Sequence, residues 1–260
     1  MIFESQKEPL QQLQLLANAK RQSVLVTGPK GSGKSYIARQ YATMVGVEDY
    51  IVVAPKVNEV RETTDTCISN GTSVLLCIEN LDLGVPAASY ALLKFLEEPI
   101  ENVYIVVTCR NIKNVPDTIV SRSTVVDMQN PRPADLELYC RNKNGVRFDS
   151  IKNRLVWKSC NSFSDCDTVL EMSPSQVDYF DSLQEVCKFK DNVSGIVWSL
   201  SHYDSSTAAP IELVIRCVME ITKNPFITRC GIDCLRDLSL GRVAQHAVLS
   251  KFAFDCKYCE

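Results

Sequence analysis

The sequence has no surplus of positive charge: 28 lysines and arginines stand against 31 acidic residues, a net charge of −3. A chain that coats itself in nucleic acid carries a basic excess, so contact with DNA is expected to be local or shared with partners. It also lacks any apolar run near the roughly 18 residues of a membrane span. Its first residues, MIFESQKEPLQQ, lack the charged-then-apolar layout of a signal peptide, and a cytoplasmic protein is expected. No internal repeat and no low-complexity tract is found. The 12 cysteines lack the spacing of a disulfide or zinc framework. Cys77 and Cys109 sit in apolar strand-like runs, where cysteine behaves as a small hydrophobe, and in a reducing cytosol the others are expected to be free thiols. Cys256-x-x-Cys259 is the one pair with metal-like spacing, and Cys230-x-x-x-Cys234 its one complement. A strong zinc signal needs two well-spaced pairs; the spacing here is irregular, and whether the C-terminal cysteines bind zinc stays open.

What is present is a chain of 260 residues, 45% hydrophobic and 23% charged, long enough to bury a sizeable core as one large domain or two to three small ones. Its organising stretch is Ser23 to Ser35, SVLVTGPKGSGKS. Val24, Leu25 and Val26 form a short apolar run of the kind buried on both faces of a sheet. Gly28-Pro29-Lys30-Gly31-Ser32-Gly33-Lys34-Ser35 then matches G-x-x-x-x-G-K-[ST] at every fixed position. The glycines allow a tight turn whose N–H groups converge on phosphate oxygens. The helix that follows, entered near Gly33 and continuing through Tyr36, directs its positive end to the same point. In this motif Lys34 reaches the β- and γ-phosphates, and the Ser35 hydroxyl ligates Mg²⁺. ATP and Mg²⁺ are the expected cofactors.

Periodicity predicts helices over Lys7–Lys20, Lys34–Met44, Val57–Ile68 and Pro86–Glu98. Strands are predicted over Tyr50–Ala54, Ser73–Ile78, Val103–Thr108 and Thr124–Met128, in addition to the one before the glycine loop. Strands alternating with helices imply an α/β fold with a five-stranded parallel sheet, its ligand beyond the carboxyl ends of the strands. Asn130-Pro131-Arg132-Pro133 is a natural hinge. Beyond it only helical periods occur: Ala134–Asn142, Ser150–Ser159 and Ser162–Met172, a break at Ser173-Pro174-Ser175, and then several helices interrupted at His202–Pro210 and Asn224-Pro225.

The third strand ends in acid, VLLCIENLD, and Glu79 holds the place where a carboxylate supports the Mg²⁺ shell. From here the chain resembles a known family. IENLD, then YALLKFLEEP, then VYIVVTCRN, then PDTIVSRSTVV is similar to the clamp-loader branch of the AAA+ ATPases. These are the gamma/tau and delta-prime subunits of bacterial DNA polymerase III and the small subunits of replication factor C. The close resemblance covers about Ser23 to Met128. It implies an AAA+ nucleotide-binding domain at 1–130, a small helical lid at 131–174 and an all-α collar at 175–260 that holds subunits in a hetero-oligomeric ring. It also implies sliding-clamp loading onto primed DNA in DNA replication, with the ring gripping the duplex by shape and backbone. Clamp contact falls around Lys56–Ser69. The phosphate and Mg²⁺ ligands are then Lys34 and Ser35, with Glu79 in the acidic metal-shell place. Asn111 is the polar candidate for sensing the γ-phosphate. Arg122 is the arginine finger that reaches a neighbouring subunit's γ-phosphate.

The departures bear on hydrolysis. The family usually reads Asp-Glu at the strand end, the Glu polarising the attacking water, where this chain reads Glu79-Asn80. An amide cannot accept a proton as a carboxylate does, and Asp82 stands two residues further on, pointing elsewhere. Ser164 stands where active members carry a lid arginine, and the zinc module of gamma-type subunits is missing. Two readings stay open: a working ATPase with an altered site, or an ATP-binding, hydrolysis-deficient delta-prime-like stator that donates a trans arginine. A third, weaker reading is another AAA+ motor such as a helicase loader. The compact length would suit a viral or much-reduced replisome.

Overall fold

The structure is a computed structural model and describes residues 3–60, 62–63, 73–84, 86–187, 200, 210–239 and 245–257. Five runs rich in β-branched and apolar residues form the strands: β1 (Ser23–Thr27), β2 (Asp49–Val53), β3 (Val74–Ile78), β4 (Val103–Cys109) and β5 (Thr124–Asp127). They pair in parallel in the order β2-β3-β4-β1-β5. Parallel neighbours need crossovers, which the helices supply. Helix α1 (Lys7–Asn18) precedes β1, and α2 (Lys34–Val45) joins β1 to β2. Helix α3 (Pro86–Glu97) joins β3 to β4, and the short α4 (Asp117–Val120) precedes β5.

Both faces of the sheet are covered, and the strand residues divide between them with a period of two. Leu75 and Cys77 of β3 pack with Leu10, Leu13, Ile37 and Tyr41 from α1 and α2. Val74, Leu76 and Ile78 turn the other way, toward Leu92 and Leu96 of α3. This double burial is why the strands read as continuous apolar runs, β3 and β4 being buried at every position. Strand β1 lies between β4 and β5, where the strand order reverses and a crevice opens at the carboxyl ends. The expected α/β architecture is the observed one. Residues 57–60 and 62–63 are helical and Val60 is buried; the remainder of the helix expected over Val57–Ile68, with much of the expected clamp-contact stretch, lies outside the described residues.

Cα packing divides the chain into two compact units, Met1–Asp135 and Leu136–Glu260. The regular structure among the second unit's described residues is all helical: α5 (Pro133–Ile151), which begins at the end of the first unit, α6 (Leu155–Lys158), α7 (Phe163–Glu171), α8 (Pro174–Cys187), α9 (Ile211–Thr222), α10 (Pro225–Ser239) and α11 (Gln245–Lys257). Two boundaries differ from the expectation. A helix ending near Asn142 and a second over Ser150–Ser159 are replaced by α5 running to Ile151, then the one-turn α6. The backbone breaks at Asn144 (φ −158°, ψ 83°), but the Asn144 side chain accepts the Arg147 N–H at 3.0 Å and so restarts the helix as an N-cap would. Phe148 and Ile151 are buried on the restarted segment. The breaks expected at Pro174 and Pro225 fall at helix starts, where proline's missing N–H is harmless; residues 201–209 lie outside the described residues.

Among the described residues no helix is long and apolar enough to cross a membrane, and no three His, Cys, Asp or Glu side chains gather where they could hold a metal by themselves. Cys230, Cys234 and Cys256 are not in disulfides, while Cys259 lies outside the described residues.

Candidate nucleotide-binding site

The loop after β1 turns on three glycines with positive φ: Gly28 at 153°, Gly31 at 72° and Gly33 at 95°. Gly28 is also required by space, since a Cβ there would lie 2.6 Å from the Met128 carbonyl oxygen. Gly33 caps α2 in the left-handed conformation, a geometry that side-chain-bearing residues enter only with strain. Lys34 is the first residue of α2 and is buried. Its ammonium donates to the carbonyls of Gly28 at 2.8 Å and Pro29 at 2.7 Å, so the cation sits inside the loop's own cradle. Burial lowers its pKa to about 8, the Arg110 guanidinium adds to the fall, and Cys109, Asp82 and Glu79 oppose it. The Ser32 hydroxyl is buried without a hydrogen-bond partner, which is uncommon for a buried polar group and points to a missing acceptor or donor. Lys30 and Tyr36 are exposed at the edges of the loop.

Across the crevice, Glu79 follows β3. The Ser35 hydroxyl donates to its Oε1 at 2.5 Å, which brings together the two groups assigned to the Mg²⁺ shell. The buried ammonium, the orphan Ser32 hydroxyl and the hydroxyl–carboxylate pair fit a triphosphate with its magnesium. Lys34 and the loop amides would hold the phosphates, and Ser35 with Glu79 would hold the metal. When bound, the metal neutralises negative charge on the phosphate oxygens.

Asn80 adopts φ 52°, ψ 51°, a left-handed conformation that asparagine tolerates better than most residues. Its N–H donates to Thr108 Oγ1 on β4 at 3.0 Å. Asp82 is turned toward β4 as well. Its Oδ2 accepts the N–H groups of Arg110 and Asn111, both at 3.1 Å. The carboxylate two residues beyond Asn80 thus fixes the end of β4. The exposed Asn111 uses its side-chain oxygen to accept the Lys113 N–H at 3.0 Å, capping a single 3₁₀ turn. Arg110, which drew no attention in the sequence, is the β4-end residue whose charge is felt at Lys34; its signal was a lone cation closing an apolar strand.

Arg122 is not part of this cluster. It precedes β5, whose Thr124 pairs with Val24 near the start of β1, so it stands at the amino-terminal edge of the sheet, while the phosphate loop leaves the opposite edge. A strand rises about 3.3 Å per residue, which puts the length of β1 between the two. Arg122 instead forms an ion pair with Glu97 of α3 at 2.9 Å and donates to the Thr118 carbonyl at 3.0 Å. In the second unit Ser164 is exposed on α7, and its carbonyl accepts the Thr168 hydroxyl at 2.9 Å.

Residues 48–132 match the family model described as DNA polymerase III, delta subunit. No curated protein sequence matches the chain. Among solved structures, the chain is similar to a DNA polymerase III gamma subunit-related protein from Thermotoga maritima, with a TM-score of 0.55 at 15% identity, over 95% of this chain and 99% of that one. It is also similar to the RuvB Holliday junction branch migration motor of Thermotoga maritima, with a TM-score of 0.51 at 13% identity, over 93% and 82% of the two chains. The fold is therefore that of the AAA+ ATPases, and the match over 48–132 bears out the resemblance to a clamp-loader-type subunit.

Proposed function

We propose that this chain, a clamp-loader-type AAA+ subunit by fold and by its 48–132 segment, binds magnesium ATP at Gly28–Tyr36 within a DNA replication clamp loader. The observation that carries the reading is the Lys34 ammonium, buried among the carbonyls of Gly28 and Pro29, beside a Ser35 hydroxyl already bonded to Glu79. A cation held against neutral carbonyls is under-compensated, and a phosphate oxygen is a stronger partner. On this reading the nucleotide-binding domain occupies 1–130, the lid 131–174 and the collar 175–260, the second compact unit supplying the collar and the lid from Leu136 onward. The ring would contain other subunits, engage a sliding clamp and enclose primer–template DNA in the cytoplasm.

The stator form of this reading, ATP-binding but poor at hydrolysis, is favoured by Asn80. Its left-handed backbone suits an asparagine and penalises a glutamate, so the residue that would polarise water is replaced at a position built for its replacement. Losing a general base lowers rate by roughly 10²–10⁴-fold. Arg122 is then the chain's contribution to turnover at a neighbouring site. Its place at the sheet edge away from its own phosphate loop supports action in trans.

The test is calorimetry of magnesium ATP with the isolated chain and with Lys34→Ala, together with steady-state hydrolysis by both and affinity capture of a sliding clamp. Binding lost in Lys34→Ala, with hydrolysis equally low in both, is expected. Absence of ATP binding by the wild-type chain overturns the reading, and turnover well above that of Lys34→Ala overturns the stator form.

A further inference from the structure

At the amino-terminal edge of the sheet a pocket of about 260 Å³ opens between the α1–β1 turn, the end of α3 and the residues before β5. Lys20, Arg21 and Arg122 line its rim above an apolar floor of Phe95, Leu96 and Ile100. The turn carrying Lys20 and Arg21 is tightly built. Lys20 has φ 50° and is the left-handed residue that closes α1, the ordinary ending of a helix, which fixes the course of the backbone through Arg21. The Lys20 and Arg21 amides donate to the carbonyls of Ala17 at 2.9 Å and Leu16 at 3.0 Å. The buried Tyr41 hydroxyl donates to the Arg21 carbonyl. The Gln22 side chain donates to the carbonyls of Ile100 and of Val103. Neither Lys20 nor Arg21 has an ion-pair partner among the described residues, and Arg122 has one, the exposed Glu97. An exposed pair of this kind is weak and readily exchanged. Three cations therefore face one pocket with a single carboxylate between them, on a chain whose net charge is negative.

We infer that Lys20 and Arg21 complete, with Arg122, a composite anion site for the phosphate chain of the nucleotide held by a neighbouring subunit. This rests on the reading of Arg122 as acting in trans. A triphosphate with its magnesium still carries net negative charge. One guanidinium meets part of it, and two further cations carried on a fixed backbone turn meet the rest. The roles divide chemically. Arg122, able to follow the transferring phosphoryl group, acts on turnover. Lys20 and Arg21 contact charge that is present before and during reaction, so they act on binding alone.

The test uses the complex purified through a tag on this chain, with magnesium ATP as the probe. Lys20→Ala/Arg21→Ala is expected to raise KM for ATP about fivefold, the scale of losing exposed charge contacts, with kcat within about twofold. KM of the wild-type complex should rise with salt, and that of the double variant less steeply. Lys20→Arg/Arg21→Lys, which keeps both charges, should stay near wild type. Arg122→Ala should lower kcat. If Arg122→Ala lowers kcat while the alanine double variant leaves KM and its salt dependence unchanged, the composite site is overturned and the trans arginine stands. If the double variant dissolves the complex, the turn is an assembly contact and the composite site is overturned. A complex without ATP turnover, or one indifferent to Arg122→Ala, removes the trans arginine and this inference with it.

Discussion

The Lys34 ammonium and the Gly28 carbonyl, six residues apart in the chain, meet at 2.8 Å. The loop thus encloses its own cation, and that cation is poorly solvated. The consequence is a titration near neutrality, with a pKa of about 8 where an ordinary lysine has 10.5. Below about 8 the group is charged in both folded and unfolded chains, and its desolvation counts against folding. Between about 8 and 10.5 the unfolded chain holds the proton and the folded chain does not, so this group's contribution to stability rises with pH.

Nucleotide binding inverts that preference. A phosphate oxygen beside Lys34 favours the charged form, so binding near pH 8.5 should take up a fraction of a proton, and affinity should fall with rising pH by up to about tenfold per unit. Calorimetry in two buffers of different ionisation enthalpy reads the uptake directly. Lys34→Arg, which keeps its charge at every accessible pH, should abolish it. Uptake that persists unchanged in Lys34→Arg would assign the proton elsewhere.

Asp82 joins the ends of β3 and β4, and one of its oxygens receives two backbone N–H groups. Asp82→Asn keeps the shape but offers one acceptor oxygen and a misplaced amide. It should destabilise the chain by about 1–3 kcal/mol, the usual penalty for unpairing buried or charge-assisted bonds, as read by denaturant unfolding. ATP affinity should fall with it, because Arg110 and Asn111 hang from that carboxylate. Wild-type stability in Asp82→Asn would mean the two amides are equally well served by water.

Much of this was legible beforehand for a physical reason. A doubly covered parallel sheet demands continuous apolar strands, and a phosphate loop demands glycines at fixed spacing, so Val24–Val26, Val74–Ile78 and Gly28–Ser35 declared themselves locally. Positive φ does not declare itself in the same way. Asn80 reads from the sequence as a missing base, and its left-handed backbone is a second feature that no local pattern announces. Asp82, Arg110 and the pairing of Glu97 with Arg122 depend on contacts between strand ends and helix ends far apart in sequence, which no local period encodes. The helix expected to end near Asn142 misled for the opposite reason: the backbone does break at Asn144, but its side chain caps a new helix at once.

Asn80 gives a direct test of conformation against chemistry. Asn80→Gly removes the side chain but welcomes φ 52°, and should leave stability within about 0.5 kcal/mol, a surface-substitution effect. Asn80→Glu should destabilise by about 1 kcal/mol for the left-handed backbone. If the absent base alone limits the site, Asn80→Glu raises ATP turnover in steady-state assays despite that loss. Unchanged turnover would place the limit at Ser164 or in geometry the substitution does not restore.

The second unit contains an ion pair, between residues 51 positions apart, that no helical period announces. Arg216 on α9 meets Asp165 on α7 at 2.7 Å, and both side chains are largely withdrawn from water, at 21% and 11% exposure. Asp165 Oδ2 also accepts the Asn161 N–H at 3.1 Å, while the Asp165 N–H donates to Ser162 Oγ, also at 3.1 Å. The carboxylate therefore binds the entry to α7 to the middle of α9. Removing Arg216 leaves Asp165 with the Asn161 N–H alone, and removing Asp165 leaves Arg216 with only Glu212 at 3.9 Å; breaking a buried pair costs about 3–5 kcal/mol, and the remaining partners and exposure here should reduce this to about 2–3 kcal/mol. Arg216→Met retains the aliphatic stem and should show most of that loss in urea unfolding, as should Asp165→Ala. The double variant should be no worse than either single one, because each loss is mainly the stranded partner. Strict additivity in the cycle would mean that Arg216 and Asp165 act independently, each through its own packing.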